Sequence, residues 1–546
     1  MTVLELPSER LASPPIAVLT AALIVLAVVF KAVYNIFFHP LRSYPGPLLW
    51  RASRFPYVVR FMQGKIPYDL KRLHAEYGPV VRIAPDELTY NCSKAWRDIY
   101  GRNKQPNGET TLFNKDPILY SAVFADHKAL IDSDGDEHRP QKRTLSYAFS
   151  HQVLVERGHI ITGCIDRMIE GVKAHLGSSP SVSAVVDICP WIENALFDLG
   201  GQLTVGRDLN AIMSQGTVHP SLALFKSLFD LVQCYYLQLR RGPGILINAV
   251  ESMPGFSGYD CVLPVKDVHD MILKRMADEK YAVADENSGD FASYLMSRAK
   301  SEGLNDDKVW INCVHLILGT PEAMPSSIIS TIYHLLTTPY AYAEAVREVR
   351  AAFKSSDEIT AQDVQNLPYL LACFRETLRR RPTIPGTLTR QVPPAGAEIA
   401  SPLSSLPTSV SLSLSLSVSS HVYLTETLQC GKFVQGGTIV GVNQFATSRS
   451  ASNFHDADSY RPERWLDPRP AEFEGDDRDA FNPFGYGPRK CIARNLAHLT
   501  TQTFLAKLLW EFDMELDESC RDWDDQGLYV LALRGPLLVK LSRAAQ

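Results

Sequence analysis

The chain opens on a long apolar run. From Ile16 to Phe30 almost every position is hydrophobic, and with Lys31 as its single charge the run continues to Phe38. That is close to the roughly 20 residues needed to cross the hydrocarbon core of a bilayer. It reads as one transmembrane anchor over 16–38, preceded by a short stub, 1–15. Arg42, Arg51 and Arg54 follow the run, whereas Arg10 is offset by Glu5 and Glu9. The positive-inside bias therefore puts the stub in a lumen and everything after the anchor in the cytosol, with Lys31 snorkelling to the interface. A cleaved signal peptide is the alternative. It ranks lower because the run is too long for a signal h-region and no small-residue cleavage site precedes Tyr44-Pro45-Gly46-Pro47. That Pro/Gly step reads as a stiff link to the body of the protein.

Beyond the anchor, helical spacing of apolar positions dominates, as from Lys308 to Leu336 and from Asn495 to Phe512. Short strand-like runs appear at Val80 to Ile83 and Thr438 to Val442. The pattern predicts a mainly α fold with small β-sheets in one large domain, 39–546. One segment departs from it. Within 401–430 the line Ser409-Val410-Ser411-Leu412-Ser413-Leu414-Ser415-Leu416-Ser417-Val418 alternates like a strand but is low in complexity.

Composition narrows the function classes. The 546 residues carry a formal net charge of -5, so there is no basic field for nucleic acid. The 10 cysteines are scattered, without a C-x-x-C pair, as expected of buried thiols in a reducing compartment. Asn91-Cys92-Ser93 matches a glycosylation acceptor but is expected to stay unmodified on a cytosolic domain.

The chemistry concentrates in Phe484-Gly485-Tyr486-Gly487-Pro488-Arg489-Lys490-Cys491-Ile492-Ala493, followed at once by a helical run from Arg494. Two glycines let backbone fold tightly against a flat ligand, Phe484 can pack near the sulfur, and Arg489 can pair with a carboxylate. Cys491 stands just before a helix N-terminus, which favours thiolate.

This stretch resembles the haem-binding loop of cytochromes P450, F-x-x-G-x-R-x-C-x-G, with Ala493 at the last glycine position. Further motifs follow in that family's order. Glu376-Thr377-Leu378-Arg379 and Pro462-Glu463-Arg464-Trp465 resemble the Glu-Arg-Arg triad that braces the fold behind the cysteine loop. His138 and Lys142 lie one turn apart where the family places haem-propionate contacts; a solvated basic face with Arg139 and Arg143 is the competing reading. Arg390, after Pro382 and Pro385, resembles the arginine on the other propionate. The resemblance runs from Phe38-His39-Pro40-Leu41 to the C-terminal strands and has a fungal, microsomal character. It implies haem b with Cys491 as proximal iron ligand, donating electron density that promotes O–O cleavage.

One departure falls on the long helix over the distal face, where the family has A/G-G-x-E/D-T. Here the line reads Gly319-Thr320-Pro321-Glu322-Ala323. Glu322 fills the acid position, and Ala323 replaces the threonine whose hydroxyl helps hold and protonate iron-bound oxygen. Pro321 and Pro325 free the carbonyls of Ile317 and Pro321, so the helix is expected to kink or open there. A rerouted proton path through Thr320 or water is the hypothesis; drift in a degraded paralogue is the bland alternative.

The 401–430 tract sits against the family pattern in a similar way. Joining Ala400 to Gly431 gives Ala397-Glu398-Ile399-Ala400-Gly431-Lys432-Phe433-Val434, close to an uninterrupted family line. A translated intron is the preferred reading and a genuine surface hairpin its rival. If real, its alternating face is an aggregation risk.

The resemblance implies a membrane-bound, monomeric monooxygenase of the endoplasmic reticulum. It would take electrons from NADPH-cytochrome P450 reductase and oxidise a lipophilic small molecule, as fungal members do in secondary metabolism. Lys490 and neighbouring basic groups form a candidate docking patch. Thr110 to Phe124 and Ile384 to Thr387 are the candidate substrate contacts. A haem-thiolate isomerase or dehydratase without oxygen activation, which Ala323 would suit, and a non-catalytic haem-binding remnant are the alternatives.

Overall fold

The computed structural model describes residues 14–104, 110–120, 128–177, 183–231, 266–281, 290–299, 301–400 and 433–544. The 401–430 tract lies outside the described residues, as do 105–109 and 121–127 within or beside the first candidate substrate stretch.

The helices that position the site are α1 (Pro14–Phe37), α2 (Gly135–Ala148), α3 (Gly158–Leu176), α4 (Cys189–Val205), α5 (Pro220–Leu231), α6 (Asp306–Leu336), α7 (Pro368–Arg380) and α8 (Arg494–Glu511). The two helices expected from periodicity are thus α6 and α8. α6 begins where the Asn305 side chain accepts from Lys308 N–H at 3.0 Å, with Asp306 and Asp307 in the positive first turn. It packs along α4, which packs on α3, while α8 lies against both α6 and α3. Trp191 and Phe197 of α4, Ile317 and Ile328 of α6 and Phe504 of α8 share the main core. α4 is buried along nearly its whole length, Glu193, Asn194 and Asp198 included.

α6 runs unbroken through Pro321 and Pro325, so the opening expected there does not occur. The carbonyl of Ile317, freed by Pro321, lies against Gly200 of α4. A Cβ at Gly200 would stand 2.9 Å from that oxygen. Glycine lets the α4 backbone close over the spot where the helix lost its bond.

Ten strands matter here. They are β1 (Val80–Ala84), β2 (Glu87–Tyr90), β3 (Asn114–Lys115), β4 (Ala184–Asp187), β5 (Arg390–Gln391), β6 (Ala397–Glu398), β7 (Phe433–Val434), β8 (Ile439–Val442), β9 (Phe512–Leu516) and β10 (Leu538–Arg543). The largest sheet has the order β1-β2-β8-β5-β3. Both strand-like runs of the sequence lie in it, as β1 and β8. β9-β10-β4 forms a second, antiparallel sheet. β6 and β7 pair antiparallel, Ala397 with Val434 and Glu398 with Phe433, so the backbone on either side of the 401–430 tract is already joined.

The side chains of α1 stand in the open, and Ile16–Phe37, with a mean hydropathy of 2.7, is a candidate membrane span. Its C-terminal end is fixed to the body of the protein. Asn35 Nδ2 donates to Ala52 O at 2.8 Å, and Arg82 Nη1 donates to Asn35 O at 2.9 Å. Asn91 is buried; its Nδ2 donates to Ser450 Oγ at 3.1 Å and its Oδ1 accepts from Asn453 Nδ2 at 3.2 Å. A glycan there would have to break these bonds, whichever side of a membrane the domain faces.

Candidate active site

The cysteine loop is held tightly by its own backbone. Gly485 and Gly487 have φ of 72° and 73°, in the region that favours glycine, and a Cβ on Gly487 would run into the Tyr100 carbonyl. Cys491 N–H donates to Phe484 O at 2.8 Å, closing the loop immediately before α8. Among the described cysteines Cys491 is exposed, while the others are buried or half-buried. Even so, surrounding protein pushes its thiol pKa up, opposed by the Ala493 N–H and by Lys142. The sulfur is reachable yet walled in by protein, in a recess rather than on an open face.

α6 packs against α8, the helix that follows the cysteine loop. It meets α8 at Ser327 and Thr501, whose hydroxyls are 3.5 Å apart. From Met324 to Leu335 the helix is buried, whereas Ala323, Gly319 and Leu316, toward its N-terminal end, are accessible. Nothing lies within 4 Å of a Cβ placed on Gly319. Asn312, one turn further, donates to Gln141 of α2 at 2.7 Å, so α2 closes one side.

Basic groups crowd around the cysteine loop. His138 and Lys142 both sit on α2, and Lys142 Nζ donates to Pro488 O of the cysteine loop. Arg489 donates to Phe113 O at 2.6 Å and pairs with Asp134. Arg390 donates to Tyr120 Oη and to Thr389 O, both at 2.9 Å. Lys115 faces Arg390 across the β3–β5 ladder. Its Nζ donates to the carbonyls of Leu130, Ile131 and Ser133 at 3.3, 2.8 and 2.6 Å. These groups repel one another. Burial, then Lys115, Lys142 and Arg390, lower the His138 pKa to about 4. Burial, then Arg390 and Arg489, lower that of Lys115 to about 7. A half-buried cluster of basic groups beside an accessible cysteine, with Arg390, Arg489 and Lys142 as its charges, fits a flat ligand with two carboxylates, whose anionic groups would relieve the repulsion. The residues present therefore fit haem. Arg139 and Arg143 do form an exposed basic face on α2, but His138 and Lys142 turn away from it.

The sequence carries no signal for Lys115, because a lone lysine in an irregular stretch has no spacing pattern; its stretch, 110–124, reads there as a candidate substrate contact. Asn114 and Lys115 instead extend the sheet, while Leu119 meets the second candidate stretch. Leu119, Gly386 and Thr387 line a narrow cleft of about 30 Å³ with Tyr57, Phe61 and Tyr529. It brings the two candidate substrate stretches together, outside the cysteine loop.

Behind the loop, Glu376 and Arg379 of α7 join Arg464. Arg379 donates to both Glu376 oxygens at 2.9 and 2.8 Å, and Arg464 Nε to Oε1 at 3.1 Å. Trp465 Nε1 adds a bond at 2.9 Å, and all three charged groups are fully buried. Burial raises the Glu376 pKa, but Arg379 and Arg464 outweigh it and hold the carboxyl below its usual range. The Phe484 ring packs on His498 of α8, which also meets Phe374 of α7, at centroid distances of 5.2 and 5.3 Å. Burial lowers the His498 pKa to about 4, helped by Arg494 and Arg375.

On the distal helix, Thr320 Oγ1 donates to Leu316 O at 2.8 Å. Its Cβ faces Gly200 of α4. Glu322 is buried and leans toward Arg534, which donates to the Glu322 main-chain carbonyl at 2.7 Å.

An α-rich domain that presents an accessible cysteine in a recess beside a cluster of basic groups is built to hold a haem through sulfur. Comparison with known proteins agrees: the cytochrome P450 family model matches residues 45–397 and 413–541. The chain is 33% identical over 522 residues to cytochrome P450 monooxygenase aclL of Aspergillus oryzae, covering 95% of this chain and 96% of that protein. It is 32% identical to cytochrome P450 monooxygenase atr2 of Stereocaulon alpinum, covering 94% and 93%. To tpeC of Talaromyces stipitatus, another cytochrome P450 monooxygenase, it is 31% identical, covering 96% and 94%. The chain belongs to the cytochrome P450 family of haem-thiolate oxidoreductases. The family match resumes at residue 413, inside the unusual tract.

Proposed function

We propose that this protein is a membrane-anchored monooxygenase that binds haem b through Cys491 and inserts oxygen from O2 into a lipophilic small molecule of fungal secondary metabolism. The carrying observation is the accessible, walled-in Cys491 beside a cluster of basic groups, with accessible small residues on α6, the helix packed against α8. Haem held there would supply oxygen activation at iron, with thiolate favouring O–O cleavage. The chain's own residues do the rest. Arg489, Arg390, Lys142 and His138 hold the two propionates, and Lys115 clamps the turn at 130–133 beneath them. Phe484, braced by His498, covers the sulfur. Glu322 holds a proton behind α6, and Thr320, two residues before it, is a hydroxyl able to pass it on once its bond to Leu316 O turns.

The anchor, 16–38, places the 39–546 domain on the cytosolic face of the endoplasmic reticulum. Exposed Leu48, Leu49, Phe55 and Met62 continue the apolar surface of α1 beside the cleft at Phe61 and Tyr57. Lipophilic substrate enters from that side. Exposed Lys490 and Arg494 offer acidic NADPH-cytochrome P450 reductase a docking patch next to the cysteine loop, and one copy of the chain suffices.

The test is turnover by the full chain with reductase, NADPH and labelled oxygen against a panel of lipophilic fungal metabolites. One labelled oxygen atom in the product per NADPH supports the reading. A second reading has one observation in its favour: Ala323 carries no hydroxyl and Thr320 points its own at Leu316 O. It is haem-thiolate isomerisation or dehydration. Product formed without NADPH consumption would select it.

A further inference from the structure

The turn at 129–134 is stitched on two sides. Toward the cysteine loop, Lys115 Nζ donates to its carbonyls at Leu130, Ile131 and Ser133, and Asp134 pairs with Arg489 while its Oδ2 accepts Lys115 N–H at 2.7 Å. Toward the long helix α6, Asn312 Oδ1 accepts Leu130 N–H at 3.0 Å, and Asp132 Oδ2 lies 3.7 Å from His315 Nε2. The other end of the Asn312 amide is used as fully. Its Nδ2 donates to Lys308 O and to Gln141 Oε1 on α2, both at 2.7 Å. Gln141 Nε2 donates in turn to Glu137 O at 3.0 Å. Only one orientation of the Asn312 amide serves an N–H and two oxygens at once.

Asn312 and Gln141 are both buried, at 2% and 0% exposure. A buried amide costs free energy that an apolar side chain would not, and the cost is offset only when its polar atoms are all paired. Packing α6 on α2 needs no such pair, whereas fixing α6, α2 and the turn in one arrangement does. Asn312 also stands on a particular face of α6. Leu316, Gly319 and Ala323 follow it by four, seven and eleven residues, on the same side of the helix, and all three are accessible. One buried side chain therefore ties this open face to the turn that Lys115 and Arg489 hold from the other side.

We propose that Asn312 is a positioning residue for the haem, coupling the open face of α6 to the propionate-holding groups through the 129–134 turn. The inference rests on the reading that Arg489 and its basic neighbours hold haem propionates. Asn312 acts on them only through the turn. Without its bond to Leu130 N–H the turn slackens, Asp134 no longer fixes the Arg489 guanidinium, and the carbonyls that receive Lys115 spread. Removing Lys115 frees the same turn from the opposite side. Two changes that act through one element do not add, so loss of both stitches should do little more than loss of one.

The experiment follows haem loss from the haem-loaded full chain to excess apomyoglobin, together with the resonance Raman bands of the haem propionates. Asn312→Leu should speed haem loss about tenfold, the effect of one buried hydrogen bond, and shift the propionate bands, while the reduced carbon-monoxide band that reports the sulfur stays in place. Asn312→Asp keeps an acceptor for Leu130 N–H and should lose haem more slowly than Asn312→Leu. Asn312→Ser, a milder change that also withdraws Oδ1, serves the same comparison if Asn312→Leu takes up no haem. Ile328→Val, a core change on α6 away from the turn, should lower the urea midpoint and leave haem loss near the wild-type rate. Asn312→Leu combined with Lys115→Met should lose haem scarcely faster than the faster of the two single variants. Haem loss and propionate bands unchanged in the Asn312 variants, rates that multiply in the double variant, or equal acceleration in Ile328→Val each overturn the inference. A wild type without the thiolate band overturns the reading of the site, and the inference with it, before any variant is compared.

Discussion

Lys115 joins three carbonyls of the 130–133 turn to the basic cluster, and it does so as a buried charge surrounded by others of its own sign. Replacing it with methionine removes the repulsion but leaves Leu130, Ile131 and Ser133 carbonyls without their donor. Orphaned buried acceptors cost about 1–3 kcal/mol each when water cannot reach them. The turn that presents Asp134 to Arg489 should loosen. Lys115→Met is expected to lower the haem-to-protein ratio after purification and to reduce stability in urea by roughly 2–4 kcal/mol. A variant with full haem content and wild-type stability would deny Lys115 this role. The contrast with Arg489 and Cys491 shows what a sequence makes legible at this scale. Phe484, Arg489 and Cys491 are bound by backbone geometry to fixed spacings within one loop. Glu376 and Arg379 likewise share a helix turn, and Arg464 completes their buried cluster. Lys115 meets Arg390 across a two-residue ladder, a relation set by pairing across the chain and absent from any local pattern.

Among the elements, α6 and α8 were legible because long runs of helix-forming and apolar residues continue over many turns without a break signal, and β1 and β8 because both are short buried runs rich in branched residues. The expected opening of α6 at Pro321 failed for a tertiary reason. Gly200 of α4, far away in sequence, allows a close approach that keeps the helix shut. The β6–β7 hairpin gives the 401–430 tract a structural test. With Glu398 already opposite Phe433, removing 401–430 leaves Ile399-Ala400-Gly431-Lys432 to close the turn. Shortening a loop roughly eightfold saves about 2 kcal/mol of closure entropy. The deletion is therefore expected to keep the carbon-monoxide spectrum and to hold or raise the midpoint of thermal unfolding. Loss of haem on deletion would show that the tract is an integral part of the fold.

For the whole molecule, four buried or half-buried histidines, His74 and His334 together with His138 and His498, set the response to acid. His74 is buried, with Nδ1–H donating to Gly78 O at 2.9 Å, and burial lowers its pKa to about 4. His334 is buried against Tyr460, and burial lowers its pKa to about 3. Unfolded, all four titrate near 6.5. Between about pH 6.5 and 4 the unfolded chain binds more protons than the folded one, so stability rises with pH in that window and falls as pH drops. Four such groups give a slope of up to about 5.4 kcal/mol per pH unit. Urea midpoints measured from pH 7 to 4.5 should fall steeply below 6.5, and His334→Phe should flatten the curve. A flat wild-type profile would mean that these histidines are charged in the folded protein.

The central claim is that Cys491 binds haem through its thiolate. The most direct test is the absorption spectrum of the reduced, carbon-monoxide-bound full chain in membranes, recorded beside Cys491→Ser. The account predicts a Soret band shifted to the red by thiolate ligation in the wild type and its loss in Cys491→Ser. A wild type that binds haem without that band, or a Cys491→Ser variant that keeps it, would contradict the account.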